Sequence, residues 1–152
     1  MRRPALSPPA GLDALRAMPG HLIRRAQQLH NALFAEECAQ FDITSVQFAA
    51  LFAIRAAGEL DATRLAEQIA FDRSTIGDVL DRMEAKGWIA RFGSPSDRRV
   101  KINRLTADGR ALLSLVEPAV ARVQTRMLEP FEGPERDLLM SLLDRLSRLA
   151  TT

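Results

Sequence analysis

The chain has 152 residues, enough for one folded unit with its own core and too few for two independent ones. Its 47% apolar and 26% charged residues fit a soluble globular protein, and the longest wholly apolar run, Phe48 to Ile54, is far too short to span a bilayer. One cysteine, Cys38, excludes an internal disulfide; with only His21 and His30 beside it and no nucleophile motif or phosphate loop, no metal site, cofactor or catalytic residue is expected.

Residues 1–11 read as a flexible arm. Pro4, Pro8 and Pro9 interrupt it and no apolar core of a secretion signal follows, so a cytoplasmic location is expected. A long helix is predicted over about 12–41 with a flaw at Pro19-Gly20, where a backbone donor is lost. Leu22, Ala26, Leu29 and Leu33 share one face of it at helical spacing and read as its buried stripe. Thr44 or Ser45 caps a second helix from Val46 to Ala57, apolar enough to be core, with Gly58 as its stop. A short third helix runs from Arg64 to Ala70, opened by Asp61 or Thr63. A fourth runs from an Asp72 cap to Lys86, ended by Gly87. Two alternating runs, Trp88 to Phe92 and Val100 to Leu105, flank the turn residues of Gly93 to Arg98 and read as two strands. Thr106 caps a fifth helix that Pro118 is expected to bend and Pro130 to end; its stripe is Leu112, Leu115 or Val116, Val120, Val123 and Met127. A last helix carries Leu138, Leu139, Leu142, Leu143, Leu146 and Leu149.

Helix, turn, helix, strand, basic turn and strand make a winged helix, so the fold class is mainly α with a small β-wing. Such a module lowers a helix into the major groove of double-stranded DNA while the wing reaches the minor groove. The charge agrees. Between Lys86 and Arg104 six basic residues face one acid, Asp97, for a local +5, whereas the whole chain carries +2 and the remainder therefore −3. Candidate contacts are Arg73, Ser74 and Thr75 in the first turn of the fourth helix, Arg82 and Lys86 along it, and Asp97, Arg98, Arg99 and Lys101 in the wing. Asp97 and Arg99 stand two apart, so on an extended segment the carboxylate orients the guanidinium. Asp78, Asp81 and Glu84 oppose phosphate binding unless they point away or pair with Arg82 and Lys86. They also keep open an alternative, a winged helix that docks proteins and binds no specific DNA. Cys38, beside Glu36 and Glu37, has a thiol pKa pushed up rather than activated.

The terminal helices carry more apolar surface than one chain of this size covers, which points to a homodimer through Leu12, Leu15, Leu138, Leu139, Leu142, Leu143 and Leu146. A two-fold dimer sets two recognition helices roughly 34 Å apart, one duplex turn.

From about residue 12 to 150 the chain resembles the MarR family of transcription regulators. The wing signature Asp97-x-Arg99 with Leu105-Thr106, preceded by DRSTIGDVLDRMEAKGWI, carries the likeness most specifically. The resemblance implies one domain over 12–152, with a winged-helix core at about 43–106 between dimerisation helices at about 12–41 and 107–150. It implies a homodimer on a pseudo-palindromic operator, usually a repressor released by a small aromatic ligand, with Arg99 as the minor-groove arginine and Asp97 as its support. PGHLIRRAQQLHNALF and ITSVQFAALFAI further resemble regulators of nicotinate and aromatic-acid breakdown within that family. That likeness implies an aromatic or pyridine carboxylate effector, met by Arg24 or Arg25 at the carboxylate, His21 at a ring hydroxyl or nitrogen, and Phe48 and Phe52 as walls.

Overall fold

The computed structural model describes residues 11–151; the expected arm lies, Gly11 apart, outside them. In chain order the elements are α1 (Leu12–Arg16), α2 (Pro19–Glu37), a 3-10 turn (Ala39–Phe41), α3 (Ser45–Ala57), β1 (Leu60–Asp61), α4 (Ala62–Gln68), α5 (Ile76–Ala85), β2 (Ile89–Gly93), β3 (Lys101–Leu105), α6 (Ala107–Leu128), α7 (Gly133–Ser147) and a final 3-10 turn (Arg148–Thr151). The fold is mainly helical with a small antiparallel wing, as the sequence pattern requires. No helix among the described residues is long and apolar enough to cross a membrane.

Local chemistry sets most boundaries. Proline at the first position of α2 separates it from α1, because its missing N–H costs nothing there. Thr44 and Gln47 form a reciprocal capping box at α3: Gln47 N donates to Thr44 Oγ1 at 3.2 Å, and Thr44 N donates to Gln47 Oε1 at 3.0 Å. Arg64 N donates to Asp61 Oδ1 at 2.9 Å, so Asp61 and not Thr63 opens α4. Gly87, at φ 74°, ends the turn after α5 in the left-handed region that a side chain disfavours. The sheet order is β1-β3-β2, with Ile89 opposite Leu105 and Gly93 opposite Lys101. Strand β1 was not foreseen, since two residues give no alternation to read.

The core joins α2, α3, α4, α5 and α6, with Ala50, Leu51, Ile54, Leu65, Leu80, Leu113, Val116 and Val123 closed to solvent. Gly109 sets the approach of α6: a Cβ there would stand 2.0 Å from the Trp88 carbonyl oxygen. Thr106 fixes the same junction, its Oγ1 donating to Gly87 O at 2.6 Å and accepting from Gly109 N at 3.0 Å.

Two helix faces, those of α2 and α6, differ from expectation. The inward face of α2 is His30, Leu33, Phe34 and Glu37, while Leu22 and Leu29 are about half exposed. In α6 the stripe is Leu113, Val116, Ala119 and Val123, and Leu115 faces out. In α7 no side chain is buried.

Candidate nucleic-acid interface

Helix α5 presents Ile76, Leu80 and Met83 to the core, so Asp78, Asp81, Arg82, Glu84 and Ala85 lie outward. It begins later than expected. Asp72 does not cap the helix but shapes a turn before it: Ser74 N donates to Asp72 Oδ1 at 2.8 Å, and Thr75 N and Ile76 N donate to Asp72 O at 3.3 and 3.1 Å. The Ser74 backbone donor, then its hydroxyl, holds the Asp72 carboxyl below its usual pKa. Arg73, Ser74 and Thr75 therefore stand in an exposed turn, not in the first helical turn, and Arg73 forms an ion pair with Glu67 of α4.

The acids of α5 find a partner that the sequence spacing did not suggest. Arg91, projecting from β2, is bound to Asp81 and lies 3.8 Å from Glu84. Arg82 and Lys86 do not serve them. Lys86 instead donates to Asp42 at both its carbonyl oxygen (2.6 Å) and Oδ2 (2.8 Å), and lies 4.5 Å above the Trp88 ring. Opposite Arg91 in the ladder stands Asn103, fully buried, whose Nδ2 donates to Leu60 O at 2.8 Å and ties β3 to β1.

At the wing tip Asp97 acts on backbone, not on a guanidinium. The segment is turned rather than extended: Arg99 N donates to Asp97 Oδ1 at 2.9 Å and Val100 N to Asp97 O at 3.0 Å, while Ser94 N to Val100 O at 2.8 Å closes the loop. Asp97 thus sets the shape that carries Arg98 and Arg99. The +5 stretch divides accordingly. Lys86 and Arg91 are engaged as above, and Arg104 is paired with Glu59 at 2.6 Å and stacked over Phe92. Arg98, Arg99 and Lys101 remain exposed, their side chains bonded to no described residue, and Arg82 is likewise unpaired on α5. On α5 and the wing, unpaired positive charge is therefore left at the wing tip and at Arg82.

A second feature lies away from this surface. Phe48 and Phe52 line a cleft of 570 Å³ with Ala53, Leu60 and Ile69 between α3 and α4. A neighbouring cleft of 610 Å³ shares Ala49 and Ile69 with it and is lined by Gln27, His30 and Phe71. Four rings follow in series, of which Phe34 lines neither cleft: His30 to Phe34 at 6.2 Å, Phe34 to Phe48 at 6.4 Å, and Phe48 to Phe52 at 6.0 Å between centroids. Arg55, ion-paired to Glu117 of α6, covers the last ring at 5.0 Å. His30 Nδ1 is buried without a hydrogen-bond partner. His21, Arg24 and Arg25 line neither cleft; the two arginines are exposed on the first half of α2. His30 was passed over in the sequence, although its spacing to Leu33, Phe34 and Glu37 marks it as inward.

The leucines assigned to dimerisation lie open in a single chain. Leu12 is 70% exposed, and Leu15, Leu138, Leu142, Leu143 and Leu146 lie between 42% and 59%, with Leu139 half-buried.

Comparison with known proteins agrees with this architecture. The MarR family model matches residues 43–101, the segment that holds α3, α4, α5, β2 and the wing turn. The HTH-type transcriptional repressor NicR of Pseudomonas putida is 32% identical over 127 residues, covering 84% of this chain and 80% of its own. A structure of Bordetella bronchiseptica BpsR, solved for the regulation of its DNA binding by 6-hydroxynicotinic acid, superposes with a TM-score of 0.82 at 31% identity, covering 86% of this chain and 94% of that one. A mutant of Escherichia coli MarR bound to operator DNA gives a TM-score of 0.82 at 27% identity, over 90% of this chain and 99% of that one. Fold, wing and kinship over most of both chains lead to one assignment: the chain belongs to the MarR family of transcriptional regulators.

Proposed function

We propose that the protein is a homodimeric repressor that grips a pseudo-palindromic operator with α5 and the wing and is released by an aromatic or pyridine carboxylate. The observation that carries the DNA reading is the division of charge. Arg98, Arg99 and Lys101 at the wing tip are unpaired, whereas Arg91 screens the two carboxylates of α5 nearest the wing. Arg73, Ser74, Thr75 and Arg82 join the surface on the helix side, and Asp97 sets the wing backbone. Lys86, held by Asp42, serves the fold instead. The rival use, protein docking through an acidic helix, loses two of its three carboxylates to Arg91.

The effector reading draws on the clefts and on two relatives: NicR is named a repressor, and the DNA binding of BpsR is regulated by 6-hydroxynicotinic acid. The cleft offers the rings of Phe48 and Phe52 as one apolar wall for a flat heteroaromatic ring, and the unpartnered His30 Nδ1 offers a polar contact at the adjoining wall. His21, Arg24 or Arg25 can meet the carboxylate only if a second chain brings its α2 over the cleft. The dimer is the remedy for the exposed leucines of α1 and α7.

The test is capture of genomic fragments by the full chain, with binding followed over a salt series and then with 6-hydroxynicotinate, nicotinate and simple benzoates added. Steep loss of affinity with salt and release by at least one acid are expected. Capture of no fragment contradicts the DNA half, and DNA held against every acid contradicts the effector half.

A further inference from the structure

Asp78 is the carboxylate on α5 that the structure leaves without a partner among the described residues. Arg91 accounts for Asp81 and Glu84, Lys86 is committed to Asp42, and Arg73 to Glu67. Asp78 is exposed, bonded to no described residue, and stands on the side of α5 opposite Ile76, Leu80 and Met83. Beside it Gly77 adds no bulk, since a Cβ there would meet nothing within 4 Å. Arg82, one turn further on, is unpaired on the same outward side.

On a surface that otherwise screens its carboxylates, a bare one on the outward face costs affinity for phosphate at every sequence. It is compensated only where a base offers it a donor. In the major groove guanine shows two acceptors, thymine one acceptor, and adenine an acceptor beside its amino group, whereas cytosine shows its N4 amino group with no acceptor of its own. Resting on the DNA-binding reading above, we propose that Asp78 is a specificity-determining residue that accepts a hydrogen bond from the N4 amino group of a cytosine in each half-site. Arg82 is placed to donate to guanine acceptors on a neighbouring pair, so the half-site contains adjoining C·G and G·C pairs. A carboxylate in the first turn also suits the positive end of the helix dipole. That role alone would leave base preference untouched, which makes the two separable.

The experiment is selection from a randomised duplex pool by the full chain, by Asp78→Ala and by Asp78→Asn, with thermal stability measured in parallel. The parent chain is expected to favour C·G at one position of each half-site by about tenfold or more. Asp78→Ala flattens that position and no other. Asp78→Asn moves the preference there to A·T, because an amide pairs with adenine N6 and N7. If Asp78→Ala binds all duplexes more tightly with its base preferences unchanged, or only loses thermal stability, the inference is overturned while the DNA-binding reading stands. If the parent chain enriches no sequence, both fall.

Discussion

Arg91 and Arg99 have similar sequence surroundings and opposite fates. Both lie in the basic stretch, yet Arg91 is spent inside the protein on Asp81 and Glu84, and Arg99 is held out by a turn that Asp97 stabilises. Arg99→Ala is expected to weaken operator binding more than tenfold and to lower the slope of log affinity against log salt by about 1, as fluorescence anisotropy over a salt series would show. An unchanged slope would remove Arg99 from the interface. Arg91→Ala should act differently, weakening binding several-fold for every duplex because two carboxylates are laid bare; adding Asp81→Asn should recover part of the loss. The residue types of the wing were legible in the sequence, and so was the conflict posed by the acids of α5. Their partner was not, because Arg91 reaches Asp81 across a sheet-to-helix contact that no helical spacing encodes.

Caps and stops placed the helices well because they are local: Thr44, Asp61, Gly87 and Thr106 each act within a few residues of their own position. Which face turns inward depends on what other elements supply. Leu22 and Leu29 look buried by periodicity and are half exposed, while Glu37, at the same spacing, and His30, one residue off it, are drawn in. Glu37 is held by Arg122 at 2.7 Å and Arg126 at 2.9 Å, which join α2 to α6. Hydrogen bonds from Arg122, then from Arg126, hold the Glu37 carboxyl below its ordinary pKa. The stability this network contributes is complete at neutral pH and is lost as pH falls through that lowered value. Glu37→Gln should therefore be less stable than the parent near neutrality, and the gap should close on acidification, as denaturant unfolding at several pH values would reveal. At the other end of α6, Gly109→Ala forces a methyl group into the Trp88 carbonyl. A loss of about 1–3 kcal/mol in the same unfolding experiment is expected; a neutral result would mean that the wing and α6 are not rigidly joined.

As a whole, the chain is a winged helix whose end helices lack cover. Leu12 and Leu15 of α1, Leu22, Ile23 and Leu29 of α2 and most leucines of α7 lie open along the terminal elements, and that surplus is visible in the sequence. The relation between two copies was not, since helix periodicity gives faces and no crossing angles. The proposed assembly and the proposed function share one requirement, that two wings and two α5 helices meet one duplex together. Sedimentation of the protein with a duplex carrying two half-sites, at low and moderate salt, tests this most directly. Two chains per duplex at low salt, dissociating steeply as salt rises, is the predicted result. One chain per duplex, or a complex indifferent to salt, would contradict it.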